Sequence, residues 1–152
     1  LKTLPIHLRI EFQLNTEKLN LLLVHGSPRS NSEYMLEDMD EGDLLQILKE
    51  TNADVLCCGH SHKPYHRIVN SGTDDQPHFH HIINIGSVGK PKDGDPRVCY
   101  VLLTLDEQSS VLNKDSIKPE FMRLEYDLEK AVAAIKDSPL PDEFADALLN
   151  AN

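Results

Sequence analysis

An apolar strand, a helix and a second apolar strand follow one another between Leu19 and Cys58, and this order constrains the fold more than any other feature. Leu19 to Val24 is apolar over the length of a strand, positions 44 to 48 carry apolar residues at helical spacing, and Asp54 to Cys58 is a second short apolar run. Such a crossover joins strands of a sheet that is covered on both faces. The pattern therefore predicts an α/β fold.

Further strands and helices are predicted on both sides of this crossover. Ile6 to Phe12 alternates apolar and polar residues and is expected to pair with Leu19 to Val24 as a hairpin, through a polar turn at 15–18. Other strand patterns and helices follow without a linker or an internal repeat, so the 152 residues are predicted to form one α/β unit over 1–152. The predicted strands are His66–Val69, His81–Ile85, Val98–Leu105 and Phe121–Tyr126, and the predicted helices run from Asp127 to Lys136 and from Pro141 to Leu149.

Composition excludes several classes of function. A formal net charge of −10 argues against general nucleic-acid binding, and no apolar stretch is long enough for a transmembrane helix. The three cysteines, Cys57, Cys58 and Cys99, have no Cys-x-x-Cys spacing and are expected to be buried free thiols of a reducing compartment, which predicts a cytoplasmic location. An acidic chain that acts on a phosphate needs a local positive charge, and a bound metal ion is the usual source.

Three histidines follow the carboxyl ends of predicted strands. His25 ends one apolar strand and precedes Gly26, while His60 and His62 follow the next apolar strand and Gly59. Ligands of open α/β sheets collect at this edge, so the three side chains are expected to lie at the same edge, with Gly59 allowing a sharp turn. Imidazole binds divalent metals readily at neutral pH, and the three are predicted to be metal ligands. A second group, at positions 78, 80 and 81, is interpreted as an exposed strand entrance.

Three segments together resemble a known family. Val24-His25-Gly26, Gly59-His60-Ser61-His62-Lys63-Pro64 and Asn84-Ile85-Gly86-Ser87-Val88-Gly89 are similar to motifs of the calcineurin-like metallophosphoesterases, in their small prokaryotic, phosphodiesterase-like branch. The resemblance extends from about Leu4 to about Ala145, and Ile85 stands where that branch usually has Pro.

The resemblance implies a fold, an activity and a ligand set. It implies a two-sheet sandwich flanked by helices and hydrolysis of phosphodiesters or phosphomonoesters by two divalent ions, each of Mn, Fe, Ni or Zn. His25 and His60 would bind one ion and His62 the other, while no catalytic residue is assigned within this chain. Arg29, Lys63 and Arg67 are basic residues near these motifs and are predicted to contact the phosphate-ester substrate.

The family's earlier motifs, Asp-x-His, Gly-Asp-x-x-Asp and Gly-Asn-His-Asp/Glu, do not occur in the 152 residues. The chain is therefore expected to correspond to the carboxyl-terminal half of such an enzyme, with a missing amino-terminal half as its partner. Since the first motifs supply the carboxylate ligands, the isolated chain is expected to be close to inactive. Without that half, strands that would pair with it have an exposed edge, and such an edge favours homo-oligomer formation.

Two other functions stay open on the sequence alone. A single Zn²⁺ held by His25, His60 and His62 would need no missing residue, although no supporting acid or general base occurs at motif spacing. The chain is also consistent with a non-catalytic binding or interaction module, because it lacks the carboxylate motifs.

Overall fold

The structure is a computed structural model that describes residues 3–14 and 17–152. Seven strands and three helices lie in these ranges. The strands are β1 (His7–Gln13), β2 (Lys18–Val24), β3 (Val55–Cys58), β4 (Tyr65–Asn70), β5 (Phe79–Asn84), β6 (Val98–Thr104) and β7 (Lys118–Leu124), and the helices are α1 (Glu41–Thr51), α2 (Leu128–Lys136) and α3 (Glu143–Asn150).

Five strands form a mixed sheet in the order β1-β2-β3-β5-β4. β1 pairs with β2 as an antiparallel hairpin, as predicted, although Asn15 and Thr16 of the predicted turn lie outside the described residues. β2, β3 and β5 run parallel, and β4 closes the sheet antiparallel to β5. The predicted crossover is thus confirmed, and its parallel strands all end at one edge of the sheet.

Helix α1 covers one face of this sheet. Its start is fixed by Asp40, whose side chain accepts hydrogen bonds from the backbone N–H groups of Gly42 and Asp43. Acidic residues in the first turn and Lys49 in the last turn complement the helix dipole. The helix buries three apolar side chains against sheet residues that point the same way; these are Leu44, Ile47 and Leu48 against Leu22, Leu56 and Ile82.

The opposite face of the sheet packs against a second, two-stranded sheet. β6 and β7 pair antiparallel, and Val101 and Phe121 from them contact the cluster built on Leu21, Val55 and Ile83. Because side chains alternate along a strand, β2, β3 and β5 supply buried residues to both faces. The α/β fold with two packed sheets and flanking helices is therefore confirmed.

Helix α2 begins directly after Asp127, as predicted, whereas α3 begins at Glu143, two residues after the predicted start at Pro141. The Asp127 carboxylate caps α2 by accepting from the Lys130 backbone N–H, and Pro141 precedes α3. The three cysteines are buried and free, as predicted. Across the described ranges, every helix is too short or too polar to cross a membrane.

The interpretation of His78, His80 and His81 as an exposed strand entrance is wrong for His80 and His81, whereas the His78 side chain is 40% exposed just before β5. His80 is 8% exposed and His81 is fully buried, because β5 is an inner strand between β3 and β4 rather than an edge. His81 Nδ1 lies 2.9 Å from His66 Nε2. Burial, and then the neighbouring rings of His66 and His80, lower the pKa of His81 to about 4, so its ring is neutral at physiological pH.

Candidate functional site

The side chains of His25 and His60 meet at the carboxyl edge of the sheet. Their strands β2 and β3 are parallel neighbours, with Leu23 opposite Cys57. The Gly59 N–H donates to the His25 carbonyl at 2.9 Å, which continues the pairing past the strand ends. His25 Nε2 then lies 3.1 Å from His60 Nδ1. The structure thus brings these two predicted ligands together, while their metal binding stays a prediction.

This separation suits two ligands of one ion. Nitrogen ligands about 2.1 Å from a metal lie about 3.0 Å apart at right angles and about 3.4 Å apart in a tetrahedral site. The measured 3.1 Å falls between these values. His25 is exposed and His60 is half-buried, so an ion can reach them from solvent.

The loop after β3 has an unusual backbone. His60 and His62 have φ values of 63° and 61°, in the left-handed region that side-chain-bearing residues rarely adopt. We expected Gly59 to supply the sharp turn, but the structure places both left-handed residues at the histidines, and a Cβ at Gly59 would meet nothing closer than the His25 carbonyl at 3.5 Å. Conformations of this kind cluster at ligand sites, where the surroundings hold them in place.

The buried side chain of Asn84 holds this loop. Its amide donates to the Gly59 carbonyl and to the Ser61 hydroxyl, both at 2.9 Å, and its carbonyl accepts from the Gly86 N–H at 3.1 Å. Gly86 has a φ of 71°, and a Cβ there would lie 2.9 Å from Cys99 Sγ. Asn84 is therefore a positioning residue for the His60–His62 loop.

His62 is oriented separately from the other two histidines. Its Nδ1 donates to the Lys90 carbonyl at 2.6 Å, which leaves Nε2 with the lone pair that a metal requires. His62 forms no three-ligand group with His25 and His60; over the described ranges, such a group occurs at other residues. This arrangement does not favour a single zinc ion held by all three histidines.

Tyr34 is a site residue that sequence reasoning missed. Its ring stacks on the His60 ring with centroids 4.3 Å apart and planes 23° from parallel. The next residue, Met35, is fully buried, and its carbonyl accepts a hydrogen bond from the Tyr65 hydroxyl at 3.0 Å. This anchor fixes Tyr34 over the site. Tyr34 lies in a loop without a motif, so no sequence signal pointed to it.

The three predicted phosphate contacts have different surroundings. Arg29 lies 3.5 Å from Glu50, and Arg67 donates to the carbonyls of Glu37 and Met39 beside the start of α1. Lys63 is exposed and lines a cleft of 520 Å³ next to Ser61. Arg29 and Arg67 therefore already have ion-pair or hydrogen-bond partners within the protein. Phosphate contact stays a prediction for all three.

A second group of metal-ligating side chains lies at the amino ends of β3 and β5. Asp54, His78 and His80 each offer one ligand atom, and these atoms lie within 4.8 Å of one another. His78 Nε2 is 3.0 Å from Asp54 Oδ1. Burial is the main cause that lowers the pKa of His80, which keeps its ring neutral and able to bind a metal. Side chains suited to a divalent metal ion thus occur at both edges of the sheet.

Comparison with known proteins identifies the family. A family profile described as the calcineurin-like phosphoesterase superfamily domain matches residues 4–108. The chain belongs to the calcineurin-like phosphoesterase superfamily. This match includes the three predicted metal ligands, the turn after Asn84 and all five strands of the mixed sheet.

Three proteins that are similar to this chain are all longer than it is. An uncharacterized protein of Methanocaldococcus jannaschii is 29% identical over an alignment of 145 residues, and the match covers 88% of this chain and 53% of that protein. A metallophosphoesterase from Sphaerobacter thermophilus has a similar fold, with a TM-score of 0.67, 24% identity, and coverage of 100% of this chain and 61% of that one. A hypothetical protein from Pyrococcus horikoshii gives a TM-score of 0.68 at 20% identity, over 99% and 52% of the two chains. The chain thus spans half to three fifths of the length of these proteins.

Proposed function

We propose that the protein containing this chain is a metal-dependent phosphoesterase, in which His25 and His60 bind one divalent ion and His62 binds a second. The observation that carries this proposal is the 3.1 Å separation of His25 Nε2 and His60 Nδ1 at the carboxyl edge of the sheet, in a chain of the calcineurin-like phosphoesterase superfamily. The substrate class is a phosphate ester, either a diester or a monoester.

Divalent ions bound here would act as Lewis acids that activate water and polarise the phosphoryl oxygens. The chain's own residues orient the ligands for this chemistry. Lys90 fixes the tautomer of His62 through its carbonyl, and Asn84 holds the loop that carries His60 and His62. Tyr34 covers one face of the His60 ring and limits its rotation. These contacts keep the nitrogen lone pairs directed at the site before an ion arrives, which lowers the ordering cost of binding.

Lys63 is the cation that we expect to contact the phosphate. It follows His62 directly and lines the cleft beside Ser61, which Glu37 and Asp38 also line. Arg29 and Arg67 already hold partners within the chain, and phosphate binding would have to replace these contacts. We therefore assign them a smaller contribution to substrate binding.

The remaining ligands are expected to come from the rest of the protein. Three neutral imidazoles do not neutralise two divalent ions, and carboxylates would bridge and balance them. At this edge, the described part of the chain supplies no carboxylate in a three-ligand group. The matched relatives are longer than this chain, which supports a source of carboxylates outside the 152 residues.

The test is a hydrolysis assay on the complete gene product. Purified protein is stripped with a chelator, reloaded with Mn²⁺ and assayed with a chromogenic bis-aryl phosphate. We expect chelator-sensitive turnover that falls by about 100-fold or more in His60→Ala, because the activating ion is lost. His7→Ala removes an exposed histidine on the edge strand β1 and should retain full activity. Absence of metal-dependent turnover on both diester and monoester substrates would refute the proposal.

A further inference from the structure

The group formed by Asp54, His78 and His80 lies at the edge of the sheet opposite to His25 and His60. Asp54 directly precedes β3, and His78 and His80 stand at the start of the parallel neighbour β5. The four residues of β3 separate this group from the His60 loop, which is about 13 Å of extended strand. The group is therefore distinct from the site proposed for phosphoester hydrolysis.

Its geometry is close to that of a zinc site with mixed ligands. One ligand atom from each residue lies within 4.8 Å of the other two, and His78 Nε2 lies 3.0 Å from Asp54 Oδ1. Ligands of a tetrahedral zinc ion lie about 3.4 Å apart. His78 has a side chain that is 40% exposed, so a small rotation can bring the three atoms to that spacing.

Outer contacts orient His80 and Asp54, while His78 Nε2 and Asp54 Oδ1 form a hydrogen bond with each other that an ion would replace. His80 Nδ1 donates to the Ala53 carbonyl at 2.8 Å, so its Nε2 carries the lone pair. Asp54 Oδ2 accepts from the Asn20 backbone N–H at 2.7 Å and from the Asn20 side chain at 3.3 Å, which leaves Oδ1 facing His78. Metal-binding histidines and carboxylates usually have such partners, which fix the tautomer and the orientation of the ligand.

A cleft gives an ion access to the group. Its volume is 800 Å³, and its lining includes Asn52, Asn70 and Ser71 beside the three ligands. The Ser71 hydroxyl donates to His80 Nε2 at 2.9 Å, and a bound ion would replace this hydrogen bond. A water molecule or this hydroxyl can complete four-coordination, which zinc sites with three protein ligands commonly show.

We propose that Asp54, His78 and His80 form a second divalent-metal site, suited to Zn²⁺, which ties the start of β3 to the start of β5. Two neutral imidazoles and one carboxylate match the ligand preference of zinc, and the carboxylate halves the charge of the ion. Residues 54 and 78 are far apart in sequence, so binding links the crossover to the β4–β5 hairpin. The ion would stabilise the folded chain by binding to it and not to the unfolded state.

The test uses a variant that lacks the three predicted metal ligands at the carboxyl edge, which we call the silenced protein. The protein carrying His25→Ala, His60→Ala and His62→Ala is stripped of metal and titrated with Zn²⁺ by calorimetry. Co²⁺ then serves as a spectroscopic probe of four-coordination. We expect one Zn²⁺ per chain, a visible Co²⁺ spectrum typical of a tetrahedral site, and a higher melting temperature with Zn²⁺.

The variant His78→Gln in this background should weaken Zn²⁺ binding by about 10-fold or more and remove the thermal shift. The partly exposed position of His78 favours normal folding, which circular dichroism without metal would verify. His7→Gln, on the exposed edge strand, is the matched control and should change neither quantity. The proposal is overturned if the silenced protein binds no Zn²⁺ or if its binding is unchanged in His78→Gln, because Asp54 and His78 then form only a hydrogen-bonded pair. Neither result depends on phosphoesterase activity.

Discussion

The buried Asn84 side chain donates a hydrogen bond to the Ser61 hydroxyl at 2.9 Å, across 23 residues of sequence. A second bond from the same amide reaches the Gly59 carbonyl. Asn84 lies on β5, inside the sheet, whereas Ser61 lies between the two left-handed histidines. Strand β5 therefore determines the position of the loop that carries His60 and His62.

Replacing Asn84 with Ala should loosen this loop. We expect the free energy of unfolding to fall by about 1–3 kcal/mol, because the buried Ser61 hydroxyl loses a donor. Metal affinity at the His60 edge should also fall by about 10-fold, as measured by Mn²⁺ calorimetry on folded protein. The exposed Asn113→Ala is the control and should leave metal affinity unchanged. If Asn84→Ala loses stability but binds Mn²⁺ normally, Asn84 has no positioning role.

The thiols of Cys57 and Cys58 should resist modification in the native chain. Burial is the main cause that raises their pKa values, to about 12 for Cys57 and about 11 for Cys58, so the reactive thiolate is scarce even in alkaline solution. Burial also raises the pKa of Cys99. We expect almost no labelling by a disulfide reagent between pH 7 and 9, and three labelled thiols after unfolding in guanidinium. Rapid labelling of Cys57 in folded protein would contradict the buried position of β3.

Lys63 and Arg67 should respond differently to substitution. Lys63→Ala is expected to raise KM for a phosphate ester several-fold and leave the melting temperature unchanged, because Lys63 is exposed beside the ligand loop. Arg67→Ala should instead reduce the free energy of unfolding by about 1–3 kcal/mol, since Arg67 binds the carbonyls of Glu37 and Met39. Steady-state kinetics and urea unfolding of the complete gene product would separate these effects. A large KM increase in Arg67→Ala without loss of stability would reverse the assignment.

The sheet core and one pair of site residues were predictable because they depend on local patterns. The run 19–24, the helix that follows and the run 54–58 specify parallel neighbouring strands, and the ends of such strands share an edge. His25 and His60 therefore meet although 35 residues separate them. The cap at Asp127 was equally local, because it depends on one carboxylate and the three residues after it.

Other features depend on tertiary contacts that no local pattern encodes. The polar residues near His80 and His81 suggested exposure, but the strand order buries this segment between β3 and β4. Tyr34 reaches His60 only because Met35 is buried and held by Tyr65. Likewise, the basic residue Arg67 indicated an anion site, yet its guanidinium satisfies two loop carbonyls.

The 152-residue chain should be much less active than the complete gene product. Within the described residues, His25, His60 and His62 form no three-ligand group with a carboxylate, so we expect hydrolysis of a bis-aryl phosphate close to the uncatalysed rate. The complete gene product with Mn²⁺ should be active in the same assay. Intact mass spectrometry verifies that the short preparation contains no longer species. Strong, chelator-sensitive turnover by the 152 residues alone would show that the remaining ligands lie within them.

The most direct test of the central claim is whether His25 and His60 bind the same ion. Mn²⁺ affinity of the complete gene product is measured by calorimetry for His25→Ala, His60→Ala and the double variant, with His7→Ala as the control. If one ion needs both ligands, each single substitution should weaken binding by about 10-fold or more, and the double variant should lose much less than the sum of the two single losses. Fully additive losses, or a single variant that binds Mn²⁺ as tightly as the control, would contradict a metal site at this edge of the sheet.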